Sequence, residues 1–340
     1  MRLFKLFFIA PVLALAVGAW NHAYADITLR FSNWDPPTHE VRSMGIEVWA
    51  KQVGEVTEGR VKVKILPKPV GIPPAHHDLI RDGAVDAGTI IPSYTPGRFL
   101  THKVVEFPFY TDNAVAQSVA YWRIYVKFFK SAGEHEGLKL LVNYANGPGL
   151  IHNNVRPIRT QEDMKGLKLR VSGDSISQLA KAAGATPIFA PITKVNTMLS
   201  KGVVDGVFLG AEGVENFKLT KLLKYTTMPK GGLGSTMFQI VVNEKAWNKI
   251  PAKDQKLIES VSGEAAARMI GEAWEAAEAD GMKTLKAAGY EMIMMEPPLR
   301  AKFEKYFKPV LAEWIAGVDK MGIDGKAAWE AYKAEVEKLQ

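Results

Sequence analysis

Asp82-Gly83-Ala84-Val85-Asp86-Ala87 and Lys201-Gly202-Val203-Val204-Asp205-Gly206 repeat one short phrase, x-Gly-x-Val-Asp-small. In each, a glycine suited to a left-handed helix stop closes a helical pattern, and an apolar run follows. Outward from the first copy, Val85 to Ile91 reads as a buried strand, and Leu79 and Ile80 mark a short helix before it. Further upstream, Val61, Val63 and Ile65 alternate as a strand does. Val41, Met44, Val48 and Trp49 are spaced for one helix face that stops at Gly59. Ile27, Leu29 and Phe31 alternate again, and Asn33-Trp34-Asp35-Pro36-Pro37 ends that run. The order β-α-β-α-β argues a parallel sheet covered by helices.

The second copy sits in similar surroundings. Leu138 to Tyr144 and Gly166 to Val171 read as strands, and Ile176, Leu179, Ala180 and Ala183 mark a helix ending at Gly184. Met198 and Leu199 lead into the phrase and on to Val207-Phe208. Two similar α/β domains follow from this repetition. A helical pattern then runs from Ala252 to about Ala288 behind Pro251. As one helix it would reach on the order of 50 Å and lie across both domains. Two helices broken at Gly271 or Gly281 are the alternative.

The 340 residues contain no Cys, which removes disulfides, thiolate metal sites and a cysteine nucleophile. Arg2 and Lys5, the apolar run Leu6 to Trp20 and Ala23-Tyr24-Ala25 form a secretory signal, with cleavage after Ala25 and a periplasmic mature chain. A membrane anchor is the competing reading, but the run is short for a span. The formal charge is +7, from which loss of the signal would take Arg2 and Lys5. No basic run with interleaved aromatics appears, so nucleic acid is not expected. The positive excess either favours anionic ligands or is ordinary solvated lysine.

Catalytic signatures are missing. There is no Gly-x-Ser-x-Gly, no Walker loop, no Gly-x-Gly-x-x-Gly after a strand and no His-Glu-x-x-His. His76-His77-Asp78 reads as a solvated helix face, because neighbouring helical residues point apart. His152 lies near Asn146-Gly147-Pro148-Gly149 and is open to a ligand or a structural role. A secreted hydrolase is therefore disfavoured. Arg170 is the informative residue, because it sits inside an apolar strand near its carboxyl end. Ligands of open α/β sheets bind outside such ends, and a guanidinium matches a carboxylate with two parallel hydrogen bonds. An arginine on the solvent face of an edge strand would look the same.

Asp163-Met164-Lys165-Gly166-Leu167-Lys168-Leu169-Arg170-Val171, Gly184-Ala185-Thr186-Pro187 and Gly202-Val203-Val204-Asp205-Gly206 resemble the solute-binding proteins of TRAP transporters, the DctP family. Thr57 to Val63, Phe107-Pro108-Phe109 and Val242-Asn243 through Ile250-Pro251 are similar to other family segments. The resemblance covers essentially the whole mature chain. It implies an α/β, two-domain periplasmic binding protein fold, type II-like, with mixed, mostly parallel sheets and a long helix spanning both domains. Domain I is expected over 26–145 with about 236–255. Domain II is expected over 146–235 with about 256–340, the long helix being about 252–288.

The resemblance also implies closure on a ligand, delivery to the small and large permease subunits, no catalysis, no cofactor and a monomer. A sensor subunit would share the same ligand site. Arg170 takes the family's carboxylate-binding position. Many relatives read Asn-Gly-x-Arg where this chain has Asn146-Gly147-Pro148-Gly149, so Gly149 replaces a second arginine. Many follow the Val-Asp-Gly strand with Gln-Glu-Asn-Pro; here Leu209 stands where Asn is usual. One branch has Glu-Trp there and holds a metal; Phe208-Leu209 does not match, so no metal is expected. With Trp34, Ser93, Tyr94, Asn146, Phe208 and Leu209 as further candidate ligand contacts, the expected ligand is a monocarboxylate with an apolar or aromatic body. A C4-dicarboxylate held by other residues is the alternative.

Overall fold

The computed structural model describes residues 26–340. The expected signal segment and its cleavage after Ala25 lie outside the described residues. The chain begins β1 (Ile27–Ser32), α1 (Glu47–Val56), β2 (Val61–Ile65), α2 (His76–Arg81) and β3 (Ala87–Ile90), then α3 (Ala114–Ile124) and β4 (Leu138–Ala145). It continues as β5 (Leu150–Asn153), α4 (Gln161–Met164), β6 (Lys168–Val171), α5 (Asp174–Ala182), β7 (Thr186–Phe189), α6 (Val195–Ser200), β8 (Gly206–Leu209), α7 (Ala211–Asn216) and β9 (Tyr225–Met228). The last part is β10 (Met237–Asn243), α8 (Glu244–Trp247), α9 (Ala252–Ser260), α10 (Gly263–Ala287), β11 (Glu291–Met294), α11 (Pro297–Asp319) and α12 (Gly325–Leu339).

The strands form two mixed sheets, ordered β2-β1-β3-β10-β4 and β11-β9-β5-β8-β6-β7. In the first, β1 pairs parallel with β2 and β3, while β10 runs antiparallel to β3 and β4. In the second, β6 pairs parallel with β7 and β8, and β5 runs antiparallel to β8 and β9.

The repeated phrase does the same structural job twice. Gly83 and Gly202 both have positive φ, +81° and +65°, a conformation that costs glycine little. The Asp86 carboxylate accepts from the Arg30 backbone N–H at 2.9 Å, and the Asp205 carboxylate from that of Lys168 at 2.8 Å. Each aspartate's own N–H returns to the carbonyl of the same residue, Arg30 or Lys168. Each aspartate carbonyl accepts from an antiparallel neighbour, Asn243 or Asn154. The acidic side chain thus ties the start of one strand to the strand beside it in both sheets.

Two local expectations are corrected. Met44, assigned to the buried face, is half exposed, whereas Gly45, Ile46 and Trp49 are buried. The segment Val41–Ile46 winds as a π-helix before α1, and its wider turn shifts the phase of the buried face. The helix expected over 252–288 is α9 and α10, separated at Val261-Ser262. Ser262 Oγ donates to the Ile258 carbonyl at 2.7 Å and accepts from Trp49 Nε1 at 3.1 Å. Gly263 then takes φ +57° against the Trp122 ring, where a Cβ would lie 2.8 Å away.

Helix α10 is still long, about 37 Å at 1.5 Å per residue, and packs on α3 and β4 at one part and α7 at another. It therefore spans both sheets' elements. Gly271 and Gly281 do not break it. They are points of closest approach: a Cβ on Gly271 would lie 2.8 Å from Val115 Cα, and one on Gly281 2.4 Å from the Glu212 N. At the C-terminus, α12 packs on α3 and α11, and α11 on α5. Trp329 and Phe307 meet the Phe107 ring at 5.4 and 4.9 Å.

Candidate ligand-binding site

Arg170 projects from β6, an interior strand between β8 and β7, and is 1% exposed. That removes the reading of a solvent-facing edge arginine. Its Nε donates to the Ala190 carbonyl at 2.8 Å and Nη2 to the Tyr94 hydroxyl at 3.0 Å; Nη1 has a long contact of 3.5 Å with the Phe208 carbonyl. All three partners are neutral oxygens. Of the five N–H donors of a guanidinium, one remains on each terminal nitrogen, suited to the two oxygens of one carboxylate. Burying an unpaired charge costs several kcal/mol, so this site favours an anion strongly.

Tyr94 reaches Arg170 from the other half of the molecule. It ends the 3₁₀ turn Pro92–Tyr94 after β3, and its hydroxyl also accepts from the Ile192 N–H at 3.0 Å. Around this bridge lies a cavity of about 30 Å³ lined by Arg170, Tyr94, Trp34, Asn146 and Leu209 among others. These five of the seven candidate ligand contacts are brought together. Trp34 follows β1, Asn146 follows β4 and Leu209 ends β8, so the carboxyl ends of both sheets converge here. Asn146 is committed to the fold, its Oδ1 accepting from the Thr236 N–H at 2.7 Å.

Phe208 and Ser93 sit apart from this cavity. Phe208, whose carbonyl makes the long contact with Arg170, lines an adjoining cavity with Glu106, Ser172 and Leu233. Ser93 lines a third, about 300 Å³, with Glu106, Gly173 and Phe189. Gly149 is explained by the crossing between halves: it exchanges backbone hydrogen bonds with Leu233 and Gly234, and a Cβ there would lie 2.8 Å from the Gly234 carbonyl oxygen.

Other wall residues were not legible in the sequence. Phe238 of β10 packs between Trp34 (6.1 Å) and Trp274 of α10 (5.2 Å), and the cavity also touches Phe217 and Ile91. Asp35, His39 and Glu212 line the same cavity. His39 Nε2 lies 3.1 Å from Glu212 Oε2. Burial alone would lower the His39 pKa, but Glu212, Asp35 and Glu40 outweigh it and push it up to about 9. Burial raises the Asp35 pKa, with Glu212 adding to the rise and His39 opposing it. Asp35 lies just beyond the end of β1 and Ser172 directly follows β6, and that strand-end placement is the one signal that could have found them.

Three further histidines, His76, His77 and His152, sit in structural surroundings. His76 and His77, expected on a solvated face, are buried. His76 Nε2 pairs with Ser32 Oγ at 2.9 Å and the His77 ring packs edge-on against Phe99. The turn Pro73–Ala75 before α2 tips the helix's first turn inward against β1. His152 is fully buried in β5, between Thr226 Oγ1 and the Leu209 carbonyl. Burial lowers its pKa to about 4. Among the described residues no group of three or more His, Cys, Asp and Glu is placed to hold a metal ion.

Two α/β halves meeting at their strand carboxyl ends over a buried arginine define the class of extracytoplasmic solute-binding proteins. The chain belongs to the bacterial extracellular solute-binding protein family 7, DctP, whose profile matches residues 32–317. Members of this family bind solutes for transport and are not enzymes. The chain is similar to a TRAP periplasmic solute-binding protein from Bordetella bronchiseptica with bound (R)- and (S)-mandelate: 35% identity, TM-score 0.90, covering 92% of this chain and 100% of that one. It is also similar to a TRAP solute-binding protein from Rhodoferax ferrireducens in complex with benzoate, at 27% identity and TM-score 0.85, covering 92% and 98%. Among curated proteins, the outer membrane transporter protein TsaT of Comamonas testosteroni is 27% identical over 328 residues, 95% of this chain and 94% of its own.

Proposed function

We propose that this protein captures an organic monocarboxylate with an aromatic or apolar body in the cleft between its halves, closes on it and hands it to the TRAP permease. The observation that carries this reading is Arg170, a buried cation bonded to neutral oxygens, in a cavity walled by Trp34, Phe238, Trp274 and Phe217. A carboxylate satisfies the guanidinium, and desolvated ring contacts supply the rest of the affinity. Asp35 and Glu212 line the same cavity, so a second ligand carboxylate would meet like charge. That disfavours C4-dicarboxylates. The mandelate and benzoate bound by the two similar proteins are aromatic monocarboxylates, in line with this reading. The mature chain would act in the periplasm after cleavage following Ala25.

A thermal-shift screen of organic acids followed by titration calorimetry tests it. Aromatic or branched monocarboxylates raise the melting temperature and bind. Arg170→Ala abolishes that ligand-induced shift while the unliganded protein keeps its circular dichroism. Tight binding of succinate or sialic acid with none of the aromatic or branched acids, or unchanged affinity in Arg170→Ala, overturns the proposal.

A further inference from the structure

The cavity beside Arg170 contains more unused polarity than a plain hydrocarbon ring can answer. Trp34 Nε1 and Trp274 Nε1 are both buried and have no hydrogen-bond partner among the described residues. Both indoles line the Arg170 cavity. Glu212, 2% exposed, lines it too. Its Oε2 lies 3.1 Å from His39 Nε2, and a carboxylate with two acceptor oxygens keeps lone pairs beyond that one contact.

The chemistry of these groups restricts what can answer them. An indole N–H only donates, and an ionised carboxylate only accepts. A hydroxyl has one O–H to donate and two lone pairs to accept with, so a single hydroxyl can serve Glu212 and both indoles. An ammonium would satisfy Glu212 but has no lone pair for the indoles. A second carboxylate would accept from the indoles but be repelled by Glu212 and Asp35. A buried donor or acceptor left unmade costs free energy each time, so the group that satisfies all three is preferred.

We infer that Glu212, Trp34 and Trp274 form a specificity subsite for a hydroxyl on the body of the bound acid, and that the ligand is a hydroxylated aromatic monocarboxylate. This deepens the reading of Arg170 as the carboxylate anchor and rests on it. Glu212 accepts the hydroxyl proton while one or both indoles donate to its oxygen. His39 neutralises the Glu212 charge between binding events, which lets a carboxylate stay buried without a ligand.

The test compares matched acids by titration calorimetry: mandelate, phenylacetate and phenylglycine as one set, 3-hydroxybenzoate and benzoate as another. In at least one set the wild type binds the hydroxylated acid about tenfold or more tightly than its unsubstituted partner, and mandelate more tightly than phenylglycine. Glu212→Gln, which keeps its side chain's shape, and Trp34→Phe and Trp274→Phe, which keep an aromatic ring without the indole N–H, each narrow that ratio several-fold. Thermal melting identifies any variant that fails to fold, and the other variants then carry the comparison. Equal affinity for hydroxylated and unsubstituted acids in both sets overturns the subsite while leaving the aromatic-monocarboxylate reading standing; a trapped water would then serve these groups. Tighter binding of phenylglycine than mandelate overturns it in favour of an ammonium. Binding of none of the five acids removes the underlying reading as well.

Discussion

Tyr94 carries two demands at one oxygen. Its hydroxyl accepts from Arg170 Nη2 and from the Ile192 N–H, both at 3.0 Å, and the ring meets Phe189 edge-on at 6.1 Å. Tyr94→Phe keeps the ring and leaves two buried donors unanswered, one of them charged. Each unmade bond of this kind costs about 1–3 kcal/mol. The variant should therefore bind its acid roughly tenfold or more weakly by calorimetry and melt several degrees lower. A variant with wild-type affinity would show that the hydroxyl does not orient the guanidinium. Arg170 and Tyr94 were legible because each sits just inside or just after a strand that an apolar run revealed. Phe238, Trp274 and Glu212 were not, because each looks locally like an ordinary core or helix residue. Only the return of β10 to the first sheet and the passage of α10 across both halves bring them to the cavity.

At the scale of elements, α10 is the part whose sequence and structure disagree most instructively. Gly271 and Gly281 look like weak points, since glycine costs a helix interior about 1 kcal/mol relative to alanine. In the fold they are where α10 touches α3 and α7 backbone to backbone. Gly281→Ala gains that helix propensity but places a Cβ 2.4 Å from the Glu212 N, against backbone that cannot rotate away. Overpacking of this kind costs about 1–3 kcal/mol, so the net effect should be a lower melting temperature and, because α7 carries Glu212, weaker ligand binding. A stabilised Gly281→Ala protein would contradict the packing. On the next turn, Glu278 accepts from the Ala211 and Glu212 N–H groups at 2.9 and 3.2 Å. Burial, then the Glu212 charge, push its pKa up to about 8 from an ordinary value of 4.5. The folded state therefore holds a proton that the unfolded chain releases above pH 4.5, and stability from this group falls as pH rises through 8. The melting-temperature advantage of wild type over Glu278→Gln should be largest near pH 5 and shrink toward pH 8.5; an advantage that grows with pH would reverse the assignment. The β-α-β units were legible because their strands alternate and their helices end in glycine. β5, β7 and β9 were not, because Leu-Ile-His-Asn, Thr-Pro-Ile-Phe and Tyr-Thr-Thr-Met are short and broken by polar residues or proline.

Two of the contacts that join the halves of the molecule should not weigh equally. One is the buried bridge from Tyr94 to Arg170 and Ile192. The other is an ion pair at the cleft edge, Lys103 Nζ to Asp174 Oδ2 at 2.9 Å, joining the turn Thr101–Glu106 to the first turn of α5. Close to it, Gly173 lies so near Ser93 and Glu106 that a Cβ would approach the Ser93 Cβ at 2.9 Å. The two halves therefore touch tightly at this edge, and the ion pair closes over the contact. Asp174 remains 56% exposed in its side chain, and an exposed pair contributes about 0–1 kcal/mol and less in salt. Lys103→Ala should accordingly weaken ligand binding no more than about fivefold, with the loss fading at high ionic strength, whereas Arg170→Ala removes binding. The swap Lys103→Asp with Asp174→Lys should recover much of what Lys103→Asp alone loses. A double-mutant cycle by calorimetry at low and high salt measures this coupling directly. A coupling comparable to the loss in Arg170→Ala would place the control of closure at the surface latch; a small one keeps it with the buried arginine and its ligand.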